Sequence, residues 1–454
     1  MSYSAYMDTN PNRRSFVMRI LFVLVIGLFF CEDNSALCSD SFASTGLEPQ
    51  PYQHEWKRSK PNYLLYHPAP DGTPRWGDDD FFVLNEHLIV VTTGKGNLLA
   101  TWTAHGPKLR FRRVATSRST DGGKTWNSAS VITGGPGKSS AWQVPVVAPS
   151  GRIYLFYSRL HTRFACSLEC RISNDDGQSW SEPFELPFKK RKIDNPDPSA
   201  FPQWIAWRQA EWDAQNRALL PFTRRNGRQW LQSECMRFEN IADSPSPQNL
   251  RISWLPTKGE PITVSKTEHS AQSWANEPSF LPLSDGRLFA AVRTRRGAIW
   301  YTVSDDGGAT FRKPEIMRYQ DGGEPVVQPS SPAPIFRLKN GNYLLLFNNN
   351  KGDAFGAKDV HSARNRRPAF LALGAERLDA HQPIWFSAPK LFVDNDGVPI
   401  DIVGNEPRFE AASYGSLTEL KGERVLWYPD RKHFLVGKII PEDWLMEMKV
   451  PECK

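Results

Sequence analysis

One eight-residue pattern, Ser-x-Asp-x-Gly-x-Thr/Ser-aromatic, occurs three times and limits the fold more than any other feature. The copies run from Ser119 to Trp126, from Ser173 to Trp180 and from Ser304 to Phe311. In each, Asp and Ser or Thr side chains can satisfy the backbone of a tight turn. Gly takes the positive φ, and the aromatic ring packs under the sheet. Asp121, Asp175 and Asp306 therefore read as turn residues rather than reacting carboxylates. A second recurrence, a turn residue followed by an apolar strand, starts at Gly96, Gly151, Asn216, Gly286, Gly341 and Gly422. The six units average about 65 residues, enough for four short strands and one long loop each. Closing them into a ring removes long exposed sheet edges. The fold expected is all-β, a six-bladed β-propeller of four-stranded antiparallel blades.

Composition agrees with that expectation. The chain has 454 residues and is 40% hydrophobic and 23% charged, which excludes disordered and polytopic membrane classes. Its 31 Gly, 36 Pro and 16 Trp suit many short strands joined by turns. A net charge of +7 is concentrated at Arg112-Arg113, Lys189 to Lys192 and Arg364 to Arg367. These clusters show no helical face or nucleic-acid fingerprint, so no nucleic-acid partner is expected. The Lys189 cluster reads as a solvated loop.

Residues 1–38 read as a signal peptide or an uncleaved signal anchor: Arg13, Arg14 and Arg19 precede an apolar run from Ile20 to Cys31. Export from the cytoplasm is the expectation, with membrane contact only through an anchor. An N-terminal arm is expected over 39–80, the propeller over 81–445 and a tail over 446–454. Of six Cys, Cys166 and Cys170 lie too far apart in a straight strand to bridge directly. No His or Cys set stands at ligand spacing, so neither a metal nor a cofactor is expected. A monomer is expected.

The three turn motifs resemble the Asp boxes of the sialidase (neuraminidase) superfamily of six-bladed propellers, a likeness that runs from about Leu84 to Pro441. The stretch from Asn276 to Arg293 is similar to the segment that holds the superfamily's buried Glu and one Arg of its substrate-binding triad. The resemblance thus implies Glu277 as partner of the nucleophile and Arg293 as a carboxylate ligand. The run from Glu410 to Leu420 resembles the segment with the nucleophilic Tyr, which implies Tyr414. A neutral phenol suits a substrate whose anomeric carbon already carries a carboxylate, provided a base takes its proton. Arg366-Arg367 before an apolar strand resembles the site of another triad Arg, and alternation favours Arg366.

The chain also departs from that pattern. Its stretch from Leu84 to Val90 lacks the Phe/Tyr-Arg-Ile-Pro motif with the first triad Arg. The stretch from Trp102 to Phe111 lacks the acid/base Asp. His105 or His87 could serve as acid/base near neutral pH, and Asp78, Asp79 and Asp80 could supply a carboxylate. Trp142, Trp204, Trp207, Gln328 and Ser330 are further candidates for a sugar site, with His87 and Gln328 placed on the substrate. The residues from Trp427 to Phe434 either line the site or latch the last blade to the first. Three functions fit: a secreted sialidase-like hydrolase of an anionic glycan, a uronate polysaccharide lyase, or a non-catalytic glycan-binding propeller.

Overall fold

In the computed structural model, residues 54–69, 82–106, 111–162, 164–227, 230–401 and 406–453 are described. The expected signal segment and the three carboxylates at Asp78, Asp79 and Asp80 lie outside them. The described residues form six antiparallel sheets, one per blade of a propeller. The inner strands are Leu84–Thr92, Ser140–Val147, Gln203–Ala206, Asn276–Pro282, Ile335–Arg337 and Ser416–Leu420. All six apolar repeats fall on the second strands, which begin at Leu98, Ile153, Ala218, Leu288, Tyr343 and Glu423.

Neighbouring blades pack face against face, so second strands are covered on both sides. Leu98–His105 and Tyr343–Phe347 are buried at every position, which explains their continuous apolar runs in place of alternation. Outer strands meet solvent: two of three residues of Phe184–Leu186 are exposed.

The Asp boxes connect third to fourth strands in blades one, two and four. In the first, Ser119 Oγ donates to Asp121 Oδ1 at 2.8 Å, and Asp121 accepts from the Thr125 amide at 3.0 Å and the Thr125 hydroxyl at 2.6 Å. The same bonds recur at Asp175 and Asp306. Gly123 has φ +95°, and a Cβ there would stand 2.5 Å from the Trp427 ring of blade six. Only Gly permits that approach. Trp126 meets Trp427 edge-on at 5.3 Å, so the first box ties blade one to blade six.

Blade six is closed from both chain ends. Its outer strand is Tyr63–Tyr66, paired antiparallel with Phe434–Ile439. The segment read as an arm therefore contributes a strand to the propeller; four residues are too few to show a strand period on their own. Tyr63 stacks on Trp427 at 5.6 Å and donates to Glu423 at 2.7 Å. The tail also packs: Met448 is buried, and Arg377 donates to the Pro451 carbonyl at 2.7 Å. The Lys189 cluster divides: Lys189, Lys190 and Lys192 are exposed loop residues, as expected, and Arg191 is the exception. Arg191 is not solvated but pairs with buried Glu234 at 2.9 Å, which Arg224 also holds at 2.6 Å. The four described cysteines are reduced, three of them buried. Among the described residues, no helix is long and apolar enough to cross a membrane.

Candidate active site

Three inner strands carry the same irregularity at the same height. Pairing with the second strand slips between Glu86 and Ile89, between Ala141 and Val144, and between Asn276 and Ser279. At each slip two inner residues oppose one neighbour, and the first of them has positive φ: His87 at 54°, Trp142 at 55° and Glu277 at 42°. None is Gly, so each bulge holds a strained backbone, a feature concentrated at functional sites. Tyr414, just before the inner strand of blade six, also has positive φ, at 66°.

These turns bring Glu277 and Tyr414 together across 137 residues of sequence. Tyr414 Oη donates to Glu277 Oε1 at 3.0 Å, while Arg293 Nη1 donates to Glu277 Oε2 at 2.5 Å. Arg293 also reaches the Tyr414 oxygen at 3.4 Å. The Glu277 amide donates to Thr223 Oγ1 at 2.7 Å, which anchors the bulge to blade three. Arg366 converges on Arg293 through one acceptor: the Ser330 carbonyl takes Arg293 Nη2 at 2.7 Å and Arg366 Nη2 at 3.5 Å. Arg367 turns the other way into a bidentate pair with Asp394 at 2.9 and 2.8 Å. Arg366, which follows the 3-10 turn Ala363–Asn365 ahead of the strand Ala369–Glu376, is thus the one of the two that shares an acceptor with Arg293, although neither lies on a strand where alternation would apply.

His87 lies with its ring 4.5 Å from that of Tyr414, and Trp207 meets the same ring edge-on at 6.2 Å. Lys432 stands 5.2 Å from the Tyr414 ring centre, paired with Glu86 at 2.8 Å and near Glu410 at 3.8 Å. His105 is one residue further back, 3.6 Å from Glu86. Four cations, Arg293, Arg366, Arg408 and Lys432, therefore surround three carboxylates, Glu277, Glu86 and Glu410.

Burial alone would raise the Glu277 carboxyl, but the Arg293 charge and hydrogen bond outweigh it and leave the pKa below the ordinary value. Glu277 is thus an ionised acceptor. Burial and the Glu277 charge push the Tyr414 phenol upward, so it stays protonated at rest. Burial lowers His87 to about 4 and also lowers His105, leaving both imidazoles neutral near pH 7.

Other candidates divide. Gln328 does not reach this cluster: its amide donates to the Ser331 and Pro332 carbonyls at 3.3 and 3.2 Å, and its oxygen accepts the Asn348 amide at 2.7 Å. Trp204 stacks on Phe188 at 5.1 Å in the core. In the run from Trp427 to Phe434, Lys432 enters the site, whereas His433 Nδ1 and the Val83 carbonyl lie 2.6 Å apart and latch blade six to blade one. Sequence reasoning missed His361, whose Nδ1 accepts from Arg293 Nη2 at 3.2 Å, and the carboxylates Glu86 and Glu410. His361 arrives on the loop between second and third strands of blade five, where no local pattern marks it.

A family model described as a BNR repeat-like domain matches residues 96–421. A search of curated protein sequences finds no match. Among solved structures, the Hadza microbial sialidase Hz136 aligns with TM-score 0.55 and 16% identity, over 80% of this chain and 67% of that one. The NanB sialidase from Streptococcus pneumoniae aligns with TM-score 0.57 and 14% identity, over 85% and 71%. An alpha-L-arabinanase of Penicillium chrysogenum, complexed with arabinobiose, aligns with TM-score 0.51 and 13% identity, over 86% and 99%. At such identities the likeness is one of fold.

Proposed function

The chain belongs to the BNR repeat-like family, and from that premise we propose that it is a glycoside hydrolase acting on an anionic, sialic-acid-like glycan. Tyr414 is the nucleophile and Glu277 its proton acceptor. The observation that carries this reading is the 3.0 Å bond from Tyr414 to a Glu277 whose other oxygen is held by Arg293. As the phenol oxygen bonds to the anomeric carbon, its proton passes to Glu277 Oε1 and the bond to the leaving oxygen breaks. Water then releases the sugar from Tyr414 by the reverse sequence.

Arg293, Arg366 and Lys432 take the substrate carboxylate, a charge that a neutral arabinan does not offer. The leaving oxygen needs a proton, and His105 or His87 supplies it. An anionic substrate raises the proton affinity of a nearby buried imidazole, so the acid is charged only in the complex. The charged and apolar run expected to be a signal segment supports an activity outside the cytoplasm.

Release of free sugar from sialylated and uronate-bearing glycans tests this reading. Tyr414→Phe is expected to lower kcat by about a thousandfold or more, and Glu277→Gln by about a hundredfold. Retained turnover in Tyr414→Phe would overturn the assignment. A neutral His87 with its ring 4.5 Å from that of Tyr414 also favours a second reading, β-elimination from a uronate, which would give an unsaturated, ultraviolet-absorbing product.

A further inference from the structure

Arg293 is already fully engaged before any ligand arrives. A guanidinium carries five N–H groups, and five acceptors stand around this one. Nη1 donates to Glu277 and reaches Tyr414, and Nε reaches Ser330 Oγ at 3.3 Å. Nη2 donates to the Ser330 carbonyl at 2.7 Å and to His361 Nδ1 at 3.2 Å. A carboxylate can therefore bond Arg293 only by taking the place of one of these partners. Glu277 and Tyr414 belong to the reaction, and the Ser330 carbonyl is main chain that Arg366 also holds. His361 is the partner that can leave.

Its surroundings suit that exchange. The ring is half-buried and edge-on to Trp274 at 5.0 Å. Its loop is anchored without it: Asp359 pairs with Arg295 at 3.0 Å, and Asn365 Nδ2 spans the Gly352 and Asp359 carbonyls at 2.9 and 3.0 Å. The imidazole can thus move by side-chain rotation over a fixed backbone. Burial and the charges of Arg293, Arg295 and Arg366 keep it neutral. A neutral imidazole has one acceptor nitrogen, which Arg293 uses, and brings no charge to the two guanidiniums beside it. Arg366 meanwhile keeps a buried Nε with no hydrogen-bond partner among the described residues. A carboxylate brings two oxygens and a full charge, so it serves this pair better than the imidazole does. A sugar hydroxyl lacks that advantage.

We propose that His361 is a specificity-determining residue: its Nδ1 holds the place on Arg293 that a carboxylate oxygen of the ligand takes, so that a carboxylated sugar displaces the imidazole and a neutral sugar does not. That the carboxylated sugar is a substrate rests on the hydrolase reading; the exchange on Arg293 does not.

Titration calorimetry with N-acetylneuraminic acid, glucuronic acid and glucose tests the exchange. His361→Phe keeps a ring against Trp274 and offers no acceptor, whereas His361→Asn restores an acceptor at the reach of Nδ1. His361→Phe is expected to lower the Kd of the acid that the wild type binds by about tenfold, the scale of one hydrogen bond to a charged group. His361→Asn should stay near the wild-type value, and glucose affinity should not change in either. An unchanged or raised Kd for the acid in His361→Phe, the outcome of a merely structural role, would overturn the exchange, as would no binding of either acid by any of the three proteins. Should His361→Phe not fold, the wild type alone decides. In protein with isotope-labelled histidine, the His361 ring nitrogen resonance, assigned by its absence from His361→Asn, should shift on saturation with the acid and not with glucose; a resonance that the acid leaves unmoved overturns the exchange. Tighter binding of the acid by His361→Phe, with no sugar released from sialylated or uronate-bearing glycans by the wild type, would sustain the exchange and overturn the hydrolase reading instead. Hydrolysis with an unchanged Kd would do the reverse.

Discussion

Tyr414 is a protonated phenol held against an ionised carboxylate, and the chemistry of the site follows from how Arg293 maintains that difference. The guanidinium lowers the Glu277 carboxyl against the effect of burial. Arg293→Gln removes that charge, so the Glu277 pKa should rise and the acidic limb of the pH–rate profile should move to higher pH, as well as kcat falling. An unmoved limb would show that Glu277 is not the titrating base. His87 supplies a second prediction. Its pKa is about 4 in the fold against 6.5 in the unfolded chain, so between those values only the unfolded state binds the proton. Stability is fully present above pH 6.5 and falls as pH drops toward 4, with a contribution on the order of 3 kcal/mol. Urea unfolding of His87→Gln from pH 4 to 7 should show a flatter dependence than the wild type. At this scale the sequence was informative where a residue sits in a recognisable run: Tyr414, Glu277, Arg293 and Arg366 do converge. Lys432 was legible only as part of the run from Trp427 to Phe434, and His361, Glu86, Glu410 and Arg408 were not assigned, because only a distant loop, an inner strand without a motif of its own and blade closure bring them together.

Among the elements, the inner-strand bulges orient the site and the Asp boxes hold the blades. The boxes were legible because their hydrogen bonds are local, all within a few residues of Asp121, Asp175 or Asp306. The bulges were not, since a single extra residue only breaks the alternation around His87, Trp142 or Glu277 and leaves no pattern of its own. The two devices should separate in experiment. Asp121→Ala loses the turn bonds to Ser119 and Thr125 and should cost about 1 kcal/mol of stability, while kcat and KM stay unchanged. Deletion of Pro278, the other residue of the blade-four slip, should abolish activity with a smaller loss of secondary structure by circular dichroism, because it re-registers Glu277 toward the sheet.

For the whole molecule, ring closure depends on four residues from the N-terminal side. Leu65 is buried in Tyr63–Tyr66, the outer strand of blade six. Leu65→Asp places a charge between that strand and its neighbours, and should lower Tm and expose blade six to limited proteolysis before the other blades. The six-blade count was readable from the repeat of second strands, whereas the closing strand was too short and too far from Phe434–Ile439 in sequence to be paired with it. Closure also sets Lys432, from the last blade, beside Glu86 of the first, so the site exists only in the completed ring. The claim on which all this turns is that a sugar becomes bonded to Tyr414. Incubation with a fluorinated sialic-acid glycoside that slows release from the enzyme, followed by peptide mass spectrometry, tests it directly. One glycosyl adduct on Tyr414, absent from Tyr414→Phe, is the predicted result; an adduct on another residue, or turnover retained by Tyr414→Phe, would contradict it.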